Sequence, residues 1–171
     1  YEFHVVTDHS HYLRDGRLEA QAEEIAAVAG RLAPFRVLHG MEANIKPDGT
    51  IDVADEELAR LDWVVASIHT AFQRDATPRI LAAMENPHVD CIGHLTGRKI
   101  GRRQGMQVDI ERIAAKALET GTALEINGQP DRLDMPDTLA RVAGEAGVRI
   151  ACTSDAHRIT ALAYAELSVS Q

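Results

Sequence analysis

Short apolar runs alternate with amphipathic stretches along the whole chain. Six runs rich in β-branched residues predict strands at residues 3–7, 36–41, 63–68, 89–93, 123–126 and 148–153. Between and after them, apolar positions at helical spacing predict helices at residues 17–32, 55–61, 78–86, 109–119, 136–146 and 159–167. Strands and helices that alternate with short connections predict an α/β fold, with a parallel sheet covered by helices.

The chain is organised as one domain. No linker or low-complexity stretch interrupts its 171 residues, so we expect a single domain over residues 1–171 with its own core. Several strand runs are apolar at successive positions, such as the run that begins at Trp63, and this indicates that both sheet faces are buried. Six strands are too few for an eight-stranded barrel, and one further βα unit would bring the number to seven.

Most of the predicted strands lead directly into a side chain that binds metals. These side chains are His9, Glu42, His69, His94 and the pair Asp155 and His157. The C-terminal ends of parallel strands gather on one face of a sheet or barrel, so we expect the six to converge there. A single histidine at a strand end is more often a packing residue than a metal ligand. The prediction therefore rests on the recurrence of such side chains after most of the strands. Imidazole and carboxylate ligands suit zinc, manganese and iron, and two or three such ions are expected.

Two residues near the first strand are candidates for supporting roles. Neighbouring strand residues point to opposite faces, so Asp8 is expected to orient a ligand imidazole rather than to bind a metal itself. His11 lies in the loop that follows His9 and is a candidate substrate contact.

A basic loop (residues 97–103) follows His94 directly and contains four cations, including Arg98. Arginine matches phosphate oxygens, so phosphate binding and a simple solvated loop are both open interpretations. Asn127 and Arg132 follow the fifth strand and are further candidate substrate contacts. For Arg132, a salt bridge with Asp131 or Asp134 is the alternative.

The expected reaction follows from the metals. A divalent ion lowers the pKa of bound water from ~16 to about 7, and a pair of ions holds both oxygens of a phosphoryl displacement. The sequence contains no G-x-S-x-G elbow, no P-loop and no G-x-G-x-x-G pattern. A metal-bound hydroxide is therefore the expected nucleophile of a phosphoester hydrolase. Asp8 and Arg98 are the residues expected to assist catalysis.

The charge, the apolar runs and the cysteines of the chain limit its expected binding partners and location. A net charge of −8 argues against broad nucleic-acid binding by the domain as a whole. No apolar run approaches the roughly 20 residues of a membrane helix, so no membrane partner is expected. Cys91 and Cys152 stand alone in apolar runs and are predicted to be buried, reduced thiols, which fits a cytoplasmic location.

Six short motifs, taken in order, resemble the PHP (polymerase and histidinol phosphatase) superfamily. They are TDHS at 7–10, GMEANI at 40–45, ASIH at 66–69, GHLTGR at 93–98, EIN at 125–127 and SDAH at 154–157. The stretch 93–109, with the residues at 127 and 132–134, is most similar to the C-terminal PHP domain of bacterial family X DNA polymerases. Single motifs are weak, but the ordered set spans nearly the whole chain and is specific.

The resemblance implies a distorted, TIM-like (β/α)7 barrel with up to three metals, usually zinc or manganese, in its mouth. It implies phosphoesterase chemistry, which in the polymerase branch is 3′-to-5′ exonuclease activity and related processing of DNA ends. Its ligand positions fall on the same six residues named above. The family's opening D-x-H-x-H motif is absent, and its members continue past the last motif. We therefore expect a fragment that lacks the first βα unit and the C-terminal end.

Three functions follow as alternatives. The first is a DNA-end-processing exonuclease domain, with a polymerase domain in the same full-length chain and a DNA 3′ end as substrate. The second is a stand-alone phosphatase for a phosphorylated small molecule such as histidinol phosphate or a nucleotide. The third is a structural domain without catalysis, against which the intact ligand set argues. The basic loop favours DNA, whereas the net acidity favours a small substrate.

Overall fold

The structure is a computed structural model that describes residues 1–72 and 74–170. Its strands are β1 (Phe3–Val6), β2 (Arg36–Asn44), β3 (Trp63–Ser67), β4 (Cys91–Ile92), β5 (Ala123–Asn127) and β6 (Ile150–Thr153). Its α-helices are α1 (Arg17–Leu32), α2 (Asp55–Leu58), α3 (Thr77–Ala83), α4 (Ile110–Thr120), α5 (Asp137–Glu145) and α6 (Ala165–Val169). Two 3-10 helices, Ser10–Tyr12 and Ile159–Tyr164, follow β1 and β6.

The six strands form one parallel sheet in chain order, from β1 to β6. The sheet is curled into half a barrel, with β1 and β6 at its two edges. A strand order that follows the chain, with helices in the connections, is the arrangement of a TIM-like (β/α) barrel. The predicted α/β fold class is therefore confirmed.

The two faces of the sheet pack against different partners. Side chains alternate along a strand, so Val64 and Val65 point to opposite faces. Val64 belongs to the main core, which also holds Ile80 of α3 and Ile113 of α4. Val65 belongs to a smaller buried cluster on the other face with Cys91 and Ala123. The main core thus lies between the sheet and its helices, and the small cluster lies inside the curl.

The inner face becomes polar towards the C-terminal ends of the strands. Ser67 lies two residues beyond Val65, and Glu125 and Asn127 lie two and four residues beyond Ala123, so strand alternation keeps them on this face. All three side chains are buried. Glu125 and Asn127 are hydrogen bonded, whereas Ser67 Oγ forms no hydrogen bond among the described residues.

Some element boundaries differ from those predicted. β2 runs to Asn44 rather than to residue 41, because its last residues pair with β3 up to Ser67. Glu42 therefore lies inside a strand, not after one. β4 contracts to two residues, since the backbone leaves the extended conformation at His94, where φ is +23°. The expected last helix divides into the 3-10 helix and the short α6.

The two cysteines lie in different environments. Cys91 is buried and free, and burial raises the pKa of its thiol well above the usual range. Cys152 is free but exposed on β6, so the prediction of a buried thiol is correct for Cys91 and wrong for Cys152. Among the described helices, none has both the length and the apolar character needed to cross a membrane.

Candidate metal centre

Glu42 lies at the centre of a group that we call the His–Glu cluster (His9, Glu42, His69 and His94). Its Oε2 lies 3.2 Å from His9 Nδ1. Its Oε1 lies 3.2 Å from His69 Nε2 and 3.1 Å from His94 Nε2. The Glu42 side chain is only 11% exposed. One carboxylate therefore faces three imidazoles that arrive from three different loops.

Strand order explains why these side chains meet. The chain beyond β1 stays beside β2, where His9 bridges to Glu42. His69 and His94 each follow their strand by two residues, and β3 and β4 are neighbours in the sheet. The ring of His69 lies 4.9 Å from that of His9 and 5.1 Å from that of His94, measured between centroids. Adjacent parallel strands thus deliver ligand-type side chains to one point.

The geometry of the cluster fits a metal ion. His9, Glu42 and His69 each offer one ligand atom, and these atoms all lie within 4.8 Å of one another. Two ligands about 2.1 Å from a tetrahedral ion lie roughly 3.4 Å apart. His9 Nδ1 and His69 Nε2 are buried and, among the described residues, form no hydrogen bond, although a carboxylate oxygen lies 3.2 Å from each. Such orphaned nitrogen atoms are what a bound ion would satisfy.

The charge states of Glu42 and His9 also suit metal binding, whereas that of His94 favours the protonated ring. Burial acts to raise the pKa of Glu42, but the imidazoles of His69 and His94 outweigh it and hold that pKa well below its usual range. Glu42 is therefore ionised at neutral pH. Burial lowers the pKa of His9, which favours the neutral imidazole that a metal requires. For His94, burial acts to lower the pKa, but Glu42 raises it overall.

Asp155 and His157 lie at the margin of the cluster. They follow β6, and His157 Nδ1 lies 3.5 Å from Asp155 Oδ1. The ring of His157 is largely exposed and lies 5.9 Å from that of His9. The structure thus brings His9, His69 and His94 together around Glu42, places His157 near His9, and places Asp155 beside Asn127 and Arg132.

Two of the predicted ligands have a backbone conformation that is unusual for residues other than glycine. The φ angles of His94 and Asp155 are +23° and +47°. Nearby side chains hold both residues. The amide of His94 donates to the Glu125 carboxylate, and Asn127 Nδ2 donates to Asp155 Oδ2 at 3.0 Å. Such outliers are found where the surrounding structure over-determines a functional position.

Asn127 is fully buried, so its contacts are with the protein. Besides the bond to Asp155, its Oδ1 accepts from the amide of Gln129 at 3.0 Å. Asn127, which was predicted to contact substrate, therefore contacts Asp155 and Gln129 within the chain.

Asp8 was expected to orient a ligand imidazole, and His11 was a candidate substrate contact. Asp8 Oδ2 accepts from Gln21 Nε2 at 2.5 Å, and Gln21 Oε1 lies 2.9 Å from His39 Nε2. The carboxylate of Asp8 is thus connected to His39 rather than to the cluster. His11 is exposed, and its ring lies 4.0 Å from that of Tyr12 and 5.3 Å from that of His9.

Arg98 is anchored to the loop after β5. Its Nε donates to the carbonyl of Arg132 at 2.7 Å, and its Nη2 donates to the carbonyl of Leu133. The fully buried Asp134 accepts from the amide and hydroxyl of Thr96 and from the amide of Arg98. These bonds tie the basic loop to the loop that carries Arg132.

The other cations of the basic loop are also placed by the structure. Lys99 Nζ pairs with Asp131 Oδ2 at 2.9 Å. Arg103 Nε donates to the carbonyl of Gly97 at 2.8 Å, and its guanidinium lies 3.9 Å from the centre of the Phe72 ring. Arg102 is exposed.

Arg132 is the cation in this region with the least satisfied side chain. Its Nε and Nη1 are buried and form no hydrogen bond within the described part of the chain. The alternative salt bridges are not made, because Lys99 pairs with Asp131 and backbone amides occupy Asp134. The carboxylate nearest to Arg132 is Asp155, with Nε 3.6 Å from Oδ2.

Sequence reasoning assigned no role to three further residues of the site: Asn44, Asp52 and Glu125. Asn44 hydrogen bonds to the ring of His69, and Asp52 hydrogen bonds to Asn44. Burial raises the pKa of Glu125 to about 7. Strand alternation is the signal that could have found two of them, because Asn44 lies two residues beyond Glu42 and Glu125 lies two residues before Asn127.

A parallel half-barrel with a His–Glu cluster at the C-terminal ends of its strands belongs to the class of (β/α)-barrel proteins with a candidate metal centre. No family model matches the chain. It is 43% identical over 95% of its length to the DNA polymerase/3′-5′ exonuclease PolX of Bacillus subtilis, of which it spans 30%.

Two proteins described as probable phosphatases are also similar. One, from Caldanaerobacter subterraneus, is 33% identical over 89% of the chain, which spans 63% of that protein. The other, from Acetivibrio thermocellus, is 30% identical over 91% of the chain, which spans 67% of that protein. The chain belongs to the PHP superfamily, as its ordered motifs predicted.

Proposed function

We propose that this chain is a metal-dependent phosphoesterase domain that hydrolyses phosphodiester bonds at the 3′ end of DNA. The observation that carries the proposal is the His–Glu cluster, with buried ring nitrogen atoms that lack hydrogen bonds. Divalent ions held there would supply a water of lowered pKa and positive charge for the phosphoryl oxygens. The proposed ligands are His9, Glu42, His69, His94, Asp155 and His157.

Arg132 is the proposed phosphate-binding side chain. Its Nε and Nη1 are buried and form no hydrogen bond among the described residues, although Nε lies 3.6 Å from Oδ2 of Asp155, a proposed ligand. A guanidinium fork matches two phosphate oxygens, and its charge would oppose the negative charge of the substrate. Arg98 holds the carbonyls of Arg132 and Leu133 and so positions this side chain. Direct roles for Asp8 and Arg98 in catalysis stay predictions.

DNA is the proposed substrate for two reasons. The Bacillus relative is named as both a DNA polymerase and a 3′-5′ exonuclease, and the chain spans 30% of it. We therefore place the chain as one domain of a longer polypeptide with a polymerase domain. The basic loop also offers the exposed Arg102. A local patch of this kind attracts a DNA backbone even when the net charge is negative.

A small-molecule phosphatase is the second candidate. The two relatives described as probable phosphatases favour it. So does the structure of the basic loop, because Lys99 and Arg103 are engaged within the chain. This alternative uses the same metal ligands and differs in the size of its substrate.

The test gives the intact protein with Mn²⁺ two substrates: a 5′-labelled single-stranded oligonucleotide and a small phosphomonoester. The unmodified protein should shorten the oligonucleotide from its 3′ end. A double variant, His69→Ala with Asp155→Ala, should lose at least about a hundredfold in rate and should bind less metal. The matched control is His88→Ala, which removes a histidine that precedes β4, at the opposite end of the sheet.

The possible outcomes separate the candidates. Hydrolysis of the phosphomonoester alone, together with no DNA affinity at low salt, would replace the first candidate by the second. Equal metal content and equal rates in the unmodified protein and the double variant would overturn both.

A further inference from the structure

A chain of hydrogen bonds leads from His69 away from the His–Glu cluster. His69 Nδ1 lies 2.7 Å from Asn44 Oδ1, while its Nε2 faces Glu42 Oε1 at 3.2 Å. A neutral imidazole carries one proton, which resides on Nδ1 or on Nε2. Only the nitrogen without the proton can bind a metal, so the partner of Nδ1 decides whether Nε2 is available.

The amide of Asn44 has only one orientation that satisfies its neighbours. Its Nδ2 donates to Asp52 Oδ2 at 2.7 Å and to Ser10 Oγ at 3.0 Å, which uses both amide hydrogens. The Ser10 hydroxyl in turn donates to Asp52 Oδ2 at 2.8 Å. Asp52 Oδ2 accepts both bonds, so Asp52 holds the NH₂ group of Asn44 on its own side. Asn44 Oδ1 is left pointing at His69, where it can only accept.

We infer that Asp52, acting through Asn44, holds His69 in the tautomer protonated at Nδ1, which leaves Nε2 bare towards Glu42. Asp52 and Asn44 are thus positioning residues. The inference rests on the metal-binding part of the proposed function. A hydrogen bond from the far nitrogen of a ligating histidine to a fixed acceptor sets its tautomer and ring orientation.

The backbone makes this arrangement rigid. A turn at residues 46–50 folds the chain back, so that Ile45 and Ile51 form an antiparallel bridge. Asn44 N donates to Asp52 Oδ1 at 2.7 Å, and Asp52 N donates to the carbonyl of Asn44 at 3.0 Å. Asp52 is therefore held by main-chain bonds as well as by its side chain. Ser10 is buried and follows His9 directly, so the same group also fixes the loop of a second proposed ligand.

The first measurement uses the intact, metal-free protein with ¹⁵N-labelled histidine. Long-range ¹⁵N–¹H spectra at a pH where His69 is neutral report which ring nitrogen carries the proton, and loss of the signal in His69→Gln assigns it. We expect protonation at Nδ1. In Asp52→Asn, the new amide can donate to Asn44 Oδ1, so Asn44 can turn over and present NH₂ to His69. The Nε2-protonated form should then increase.

The second measurement is Mn²⁺ binding by calorimetry. Asp52→Asn should weaken binding by about 10- to 100-fold. The matched control is Asp90→Asn, because Asp90 is also half-buried and accepts from a strand amide, that of Val64 at 2.8 Å, but lies at the other end of the sheet. The control should leave both the tautomer and the affinity unchanged.

Each outcome decides the inference. An Nε2-protonated His69 in the unmodified protein would overturn it without any variant having to fold. Unchanged tautomer and affinity in a folded Asp52→Asn protein would also overturn it. The correct tautomer with weakened Mn²⁺ binding in Asp52→Asn, in a protein that hydrolyses no phosphoester, would support the inference while the proposed function failed.

Discussion

At the scale of single residues, the site holds two buried carboxyl groups whose pKa values are shifted in opposite directions. Glu42 faces three imidazoles and stays ionised, as its low pKa indicates. Glu125 accepts from Thr153 Oγ1 at 2.6 Å and from the amide of His94, yet burial dominates and raises its pKa to about 7. The first carboxylate is suited to ligation, and the second holds the backbone of His94, a proposed ligand.

Glu125→Gln should flatten the pH dependence of stability in the metal-free protein. The folded chain releases the Glu125 proton near pH 7, whereas the ordinary value is 4.5, so the folded state binds more protons between these values. The free energy of unfolding should therefore fall as pH rises across this window, by on the order of 3 kcal/mol. Amide hydrogen exchange of β5, followed at several pH values and denaturant concentrations, measures this free energy of unfolding. If the free energy of unfolding changed with pH equally in the variant and the unmodified protein, the raised pKa of Glu125 would be contradicted.

At the scale of elements, the site depends on how closely β3 and β4 approach. A Cβ on Gly93 would collide with Ser67 Oγ, would lie 2.8 Å from Val65 Cγ1, and would approach Glu125 Oε2 to 3.5 Å. Gly93 is also the residue before His94. Glycine at this position lets the inner face close and brings the His94 ring to Glu42.

Gly93→Ala should destabilise the protein by about 1–3 kcal/mol, because the added methyl group has no space between the two strands. The comparison is Gly144→Ala in α5, where an added Cβ meets nothing within 4 Å and alanine favours the helix. That variant should stabilise by about 0.5–1 kcal/mol. Thermal unfolding of both variants measures the two changes in stability. Equal effects would show that the approach of β3 and β4 is looser than described.

At the scale of the whole molecule, the proposed metal centre joins segments that are far apart in sequence. The His–Glu cluster draws on the chain after β1, on β2 and on the loops after β3 and β4. An ion bound there would connect four of the six strands. Metal binding should therefore stabilise the domain as a unit.

Mn²⁺ should raise the unfolding temperature of the protein in a concentration-dependent way. A ligand that binds only the folded state adds about 2.7 kcal/mol at a hundred times its Kd. A chelator should reverse the effect. His69→Ala should abolish most of it, whereas His88→Ala should keep it. An equal response in the two variants would show that the stabilising ion binds elsewhere.

Much of this molecule could be predicted from its hydrophobic pattern. All six strands were predicted, because apolar runs bounded by turns are a local signal. The convergence of His9, Glu42, His69 and His94 followed from the rule that parallel strands end on one face. Element ends were less accurate, since β2 continues to Asn44 only through its pairing with β3.

The support of the site could not be predicted in the same way. Asp52 reaches Asn44 only because a turn reverses the chain between them, and spacing alone does not show which side chain then faces which. The state of Arg132 depends on Lys99, which takes the carboxylate of Asp131 thirty-two positions along the chain. Such contacts are set by tertiary structure and leave no periodic signal.

The ion pair between Lys99 and Asp131 bears on how relatives of this protein can diverge. Asp131 adjoins Arg132, so a chain that loses the lysine leaves an acid free to neutralise the guanidinium next to it. The proposed affinity of Arg132 for phosphate would then differ between homologues whose proposed metal ligands are all intact. An inventory of ligands alone would group such proteins together, while the residues at positions 99 and 131 would tell them apart.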